Sequence, residues 1–175
     1  MLPMSWGPYT VFTSSIWSRL SYLIGRHEKG FRSHVMWNHR RFQVATQGWL
    51  LHEEPLENYL KRGWIVEFWR NHKFDEQPQL REDVLTSIRY GLDSPWYRRV
   101  YDLIGLVAQL FEQQERIHSP WHHICSSRVN YDLRMGGDGH PTRLYPSPTD
   151  LRKFFFSEPQ WELVGVYDSA FPNGK

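Results

Sequence analysis

Ser119 to Val129 reads SPWHHICSSRV and carries the single cysteine of the chain, Cys125. A thiol does acyl-transfer chemistry when it ionises readily or when a base stands beside it to take the proton. A helix starting at Cys125 would set the sulfur at the positive end of the helix dipole, where the thiolate is favoured. The bland reading is a small buried hydrophobe, the usual fate of a lone intracellular cysteine. A third reading uses His122, His123 and Cys125 as metal ligands. Adjacent histidines point to different faces of any regular element, and no acidic or second cysteine ligand stands at a matching spacing. No metal and no other cofactor is therefore expected.

A cysteine nucleophile needs a histidine base, and the chain has nine histidines. His140 is the only one after Cys125. It follows the MGGDG turn in a stretch rich in glycine and proline, a poor platform for a fixed ring. His34 stands at the head of the apolar run HVMW, which reads as the start of a strand. A ring on a strand needs a polar partner if it is buried, so His34 reads as a base, a satisfied core histidine or a surface residue.

Both residues must be positioned by the surrounding elements. Tyr9–Ser14 reads as a strand, and SIWSRLSYLIGR has apolar residues at helical spacing (Ile16, Leu20, Leu23, Ile24). SHVMWN and RFQVAT predict two strands joined as a hairpin around His39 and Arg40. EPLENYLKRG predicts a helix with Pro55 in its first turn and Gly63 at its end. Trp64–Trp69 predicts a strand. The irregular stretch NHKFDEQPQLRED reads as an exposed loop. DSPWYRRVYDLIGLVAQLFEQ predicts one long helix capped by Ser94, with Val100, Leu103, Ile104, Val107, Leu110 and Phe111 as its core stripe. A shorter helix runs from Cys125 to the MGGDG turn, and SPTDLRKFFFS and QWELVGVYD read as a last helix and a last strand. This order is α+β.

The 175 residues fit one domain with its own core: 40% are hydrophobic and 16% aromatic. A formal charge of +2 with both signs interleaved gives no expectation of nucleic-acid binding. One cysteine rules out an intrachain disulfide and any CxxC zinc site. The first residues, MLPMSWGPYTVFTSS, lack the pattern of a signal peptide, and LIGLVAQLF and LSYLIG are too short to span a bilayer. Cytoplasmic synthesis without a transmembrane segment is the expectation.

SHVMW, then FQVATQGWLLHEEPLENYL and WIVEFW, resembles the first half of the permuted NlpC/P60-type papain-like cysteine hydrolases. These include the YiiX/YaeF-like group and, more distantly, the lecithin:retinol acyltransferase-like proteins. WYRRVYDLIGLVAQLF and PWHHICSSRV resemble the second half, and the similarity runs from about Tyr9 to Arg134. It implies one papain-like domain over residues 1–175. Histidine-bearing strands would occupy residues 9–70 and the cysteine-bearing helical part 78–135, with a C-terminal helix and strand over 147–168. It implies a thiolate at Cys125 attacking an acyl carbon, His34 as general base, and an amide, peptide or lipid-ester substrate such as cell-wall peptide. Family members carry a third polar residue that orients the histidine. The best register puts Val44 there, and Gln43 or Thr46 serves only if the hairpin shifts by a residue or two. Ser127 stands where an acidic residue often follows Cys-Ser, and Pro8-Tyr9 replaces the usual aspartate before the first strand. Two expectations follow. One is a thiol amidase or peptidase, reaching the cell wall by a route such as a phage particle. The other is a papain-like domain kept as an assembly component, for example of a phage tail, with Trp6, Trp37, Trp49, Trp96 and Trp121 as candidate partner-facing aromatics.

Overall fold

The computed structural model describes residues 8–15, 34–40, 43–47, 49–60, 64–110, 116 and 123–168. Six strands form one antiparallel sheet in the order β4-β3-β2-β1-β5-β6. They are β1 (Tyr9–Ser15), β2 (His34–Arg40), β3 (Gln43–Gln47), β4 (Leu51–Pro55), β5 (Trp64–Asn71) and β6 (Trp161–Asp168). The helices are α1 (Lys73–Glu76), α2 (Pro78–Asp93), α3 (Trp96–Arg99), α4 (Leu103–Leu110), α5 (Cys125–Met135) and α6 (Pro148–Ser157). The α+β expectation holds, as do the β2/β3 hairpin, the helix after Cys125 and the closing helix–strand pair. The helix expected over SIWSRLSYLIGR lies outside the described residues.

Strand alternation sorts the side chains into two cores. On one face Phe12, Val35, Trp37, Ala45 and Trp69 pack with Cys125, Val129 and Leu133 of α5, Val84 and Ile88 of α2, and Phe155 of α6. On the other, Tyr9, Val11, Met36, Val44, Val66 and Phe68 enclose Leu56 and Tyr59. Leu56–Asn58 is a 3-10 turn following edge strand β4. The Tyr167 hydroxyl, on the opposite edge strand β6, donates to the Leu60 carbonyl at 2.6 Å. The sheet therefore curls until the segment after one edge meets the other edge, which shelters the second core.

A buried polar network locks α5 onto the sheet. The Asp132 carboxylate accepts from the Trp37 indole N–H (3.0 Å), the Ser87 hydroxyl (2.6 Å) and the Arg128 guanidinium (Nη2 at 2.6 Å, Nε at 3.2 Å). Arg128 Nη2 also donates to the Ser87 carbonyl at 2.7 Å. Gly91 of α2 permits this approach, because a Cβ there would lie 2.6 Å from Arg128 Nη2. One residue each from β2 and α2 and two from α5 thus fix the helix that begins at Cys125.

Helix α6 is stopped at its start by Ser147, whose Oγ accepts from the Asp150 N–H at 3.1 Å while Asp150 reaches back to the Ser147 N–H at 3.3 Å. Ser147→Ala is expected to cost about 1 kcal/mol. Urea titration should then show a lower midpoint with an unchanged slope.

Four expectations are corrected. EPLENYL is not a helix: Pro55 ends β4 and a single 3-10 turn follows. The long helix from Ser94 is broken, because Val100 bridges to Leu50 and Tyr101 to His123 as extended backbone. Asp102 then restarts the chain, its Oδ1 accepting from the Gly105 N–H at 2.7 Å, and Ile104 and Val107 are exposed rather than core. The supposed loop NHKFDEQPQLRED holds α1 and the start of α2, whose residues Leu80, Val84 and Ile88 are buried. Trp37, a candidate surface aromatic, is buried; Trp49 and Trp96 are exposed, and Trp6 and Trp121 lie outside the described residues.

Candidate functional site

His34 opens β2 and Thr46 lies near the end of β3. The two strands pair Trp37 with Ala45 and Asn38 with Val44, and a bulge between Asn38 and Arg40 absorbs one extra residue. This register sets Val44 and Thr46 on the same face as His34, and Thr46 is the nearer of the two. His34 Nε2 lies 2.7 Å from Thr46 Oγ1. The expected partner at Val44 is thus displaced by two residues, to Thr46, while Gln43 faces away at the far end of β3 opposite Pro55.

The hydrogen bonding continues beyond Thr46. The Tyr59 hydroxyl is 3.3 Å from Thr46 Oγ1 and makes a very short hydrogen bond to Glu54 Oε1. Asn58 Nδ2 donates to Glu54 Oε2 at 3.1 Å, and His52 Nε2 stands 3.7 Å from Glu54 Oε1. Sequence reading missed Glu54 as a candidate. Once LHEEP is seen to be a strand, His52 and Glu54 share a face with Thr46 and Val44; reading the segment from Glu54 as a helix concealed this.

Burial pushes the His34 imidazole down to about 4, with Glu54 working against the shift and His52 with it. The ring is neutral at pH 7 and able to accept a proton. Its folded pKa is below the unfolded value of about 6.5, so the unfolded chain takes up the proton first on acidification. The stability from keeping His34 neutral is complete above about pH 6.5 and is lost as pH falls towards about 4. His34→Gln should flatten that part of a plot of urea midpoint against pH. An unchanged slope would assign it to other groups, such as His39, also lowered by burial beside Glu53.

Cys125 is the first residue of α5. The helix leaves its first N–H groups without intrahelical partners, and the Ser127 hydroxyl accepts the preceding one, from Ile124, at 3.0 Å. The thiol is buried and lines a cavity of about 10 Å³, room for one water, with Val35, Gln47, Leu51 and Arg128. Those neighbours place it at the end of the sheet where His34 and Thr46 lie. It comes there from the helical face, however, whereas His34 and Thr46 project from the other. Burial, with the Glu54 hydrogen bond, pushes the Tyr59 hydroxyl well above the ordinary tyrosine value.

His140 is occupied structurally: its Nδ1 accepts from the Thr142 and Arg143 N–H groups at 3.3 and 3.2 Å. The His123 ring packs against Tyr131 at a tilt of 43°, with centroids 5.2 Å apart, and His122 lies outside the described residues. Among the described residues no group of three or more His, Cys, Asp or Glu side chains is placed to hold a metal. No described helix is long and apolar enough to cross a membrane.

No protein-family model matches the chain, and no curated protein matches it.

Proposed function

We propose that the protein is a permuted papain-like thiol hydrolase that cleaves an amide, peptide or ester bond through Cys125 and His34. What supports this reading is the 2.7 Å contact between His34 Nε2 and Thr46 Oγ1, at the end of the sheet whose opposite face carries Cys125 at the start of α5; the reaction requires the thiol to reach His34 round that end of the sheet. A ring held through Nε2 has Nδ1 available as a base. The thiol proton passes to Nδ1, the sulfur attacks the acyl carbon, and the imidazolium returns the proton to the leaving group. First-turn N–H groups of α5 are suited to the oxyanion. Water then hydrolyses the thioester. Cell-wall peptide is the substrate class the family resemblance favours.

A second reading, a papain-like domain kept for assembly, is favoured by the burial of Cys125, 4% exposed, and by exposed Trp49 and Trp96, 77% and 67%. Reaction with p-nitrophenyl acetate separates the two. A thiol hydrolase gives a burst of p-nitrophenol and an acetyl group on Cys125, located by peptide mass spectrometry, and Cys125→Ala abolishes both. No burst, or a burst that survives in Cys125→Ala, overturns the enzyme reading.

A further inference from the structure

We propose that Glu54 is a positioning residue for His34, acting through Tyr59 and Thr46 as a directed hydrogen-bond chain that holds the ring protonated at Nε2 and bare at Nδ1. This rests on the thiol-hydrolase reading above. The direction follows from counting protons. An ionised carboxylate only accepts, and Asn58 donates to Oε2 of Glu54. The single Tyr59 proton goes to Oε1, the shorter and charge-assisted of its two contacts. The tyrosine oxygen is left with lone pairs towards Thr46, so the threonine proton turns to it. Thr46 Oγ1 can then only accept from His34, 2.7 Å away, and Nε2 must carry the proton.

Without the carboxylate the chain reverses. The Tyr59 proton is free to turn to Thr46, the Thr46 proton to Nε2, and Nδ1 becomes protonated. That tautomer has no lone pair at Nδ1 for the thiol proton. Glu54 therefore supplies, across two hydroxyls, the orientation that a polar group beside the ring would give directly. The electrostatics agree: Glu54 raises the His34 pKa against the effect of burial, and His52 on the same strand opposes it.

The test uses the full chain with Glu54→Leu, Tyr59→Phe, Thr46→Val, Thr46→Ser and, for the acetylation rate, His34→Ala. Two readouts are taken at pH 7: the ring-nitrogen NMR shifts of His34, which identify the tautomer, and the rate of Cys125 acetylation by p-nitrophenyl acetate. The wild type is expected to show the Nε2-protonated ring. Glu54→Leu and Tyr59→Phe should move it towards the Nδ1-protonated form and slow acetylation about 10²-fold. Thr46→Val should slow it similarly and Thr46→Ser restore it. If acetylation needs His34 but Glu54→Leu and Tyr59→Phe change neither readout, the chain is overturned and the hydrolase reading stands. If acetylation is indifferent to His34→Ala, both fall together.

Discussion

Asp132→Ala is expected to destabilise the fold by about 3–5 kcal/mol, a large share of the roughly 5–15 kcal/mol that holds a domain together. The carboxylate is 1% exposed and is the shared acceptor for Trp37, Ser87 and Arg128. Removing it strands a guanidinium whose side chain is 10% exposed, with a buried indole N–H and a buried hydroxyl. The cost comes from leaving a charge uncompensated rather than from losing a favourable pair. The double variant Arg128→Met/Asp132→Leu, which strands no charge, should therefore lose much less than Asp132→Ala. Urea denaturation of both variants measures this. Equal losses would mean that packing volume, not charge compensation, holds α5 to the sheet.

His34→Ala is expected to slow acyl transfer to Cys125 by about 10²–10⁴, the usual contribution of a positioned general base. Burial keeps the wild-type ring neutral at pH 7, so the role proposed for it is that of a base rather than of a standing imidazolium. The activity of the wild type should consequently persist to lower pH than an ordinary histidine would allow, down towards about 4. Stopped-flow acetylation across pH 4 to pH 8 with both proteins checks the size and the shape together. A wild-type rate that falls away near pH 6.5 would contradict the desolvated environment of His34.

Much of this arrangement is legible in the sequence, because some elements announce themselves. Apolar runs rich in β-branched and aromatic residues mark β1, β2 and β5, which are buried on both faces, and Ser147-Pro148 with Asp150 marks the start of α6. The helix at Cys125 is bounded by the MGGDG turn, where Gly137 takes a φ of 81°. Strand β4 is hidden because it is an edge. His52 and Glu53 are exposed, so LHEEP looks like the polar approach to a helix. Helix α2 is hidden by its polar surface, although Leu80, Val84 and Ile88 keep a four-residue spacing that composition masks. The break at Val100–Asp102 is a tertiary effect: pairing with Leu50 and His123 outweighs the helical preference of the flanking residues. At the site, Cys125 and His34 can be singled out by residue type and element. Thr46 needs the register, and the register depends on a one-residue bulge that no local preference specifies. Glu54 enters only through β4 and the curl that brings Tyr59 beneath the sheet.

The pairing of Cys125 with His34 is tested most directly by the rate of Cys125 alkylation with iodoacetamide across pH, in the wild type and in His34→Ala. If the two act together, the variant reacts about tenfold or more slowly at pH 7, and its curve is displaced to higher pH. Superimposable curves, or a thiol unreactive in both proteins, would contradict the pairing and leave Cys125 as a buried core residue of an α+β fold.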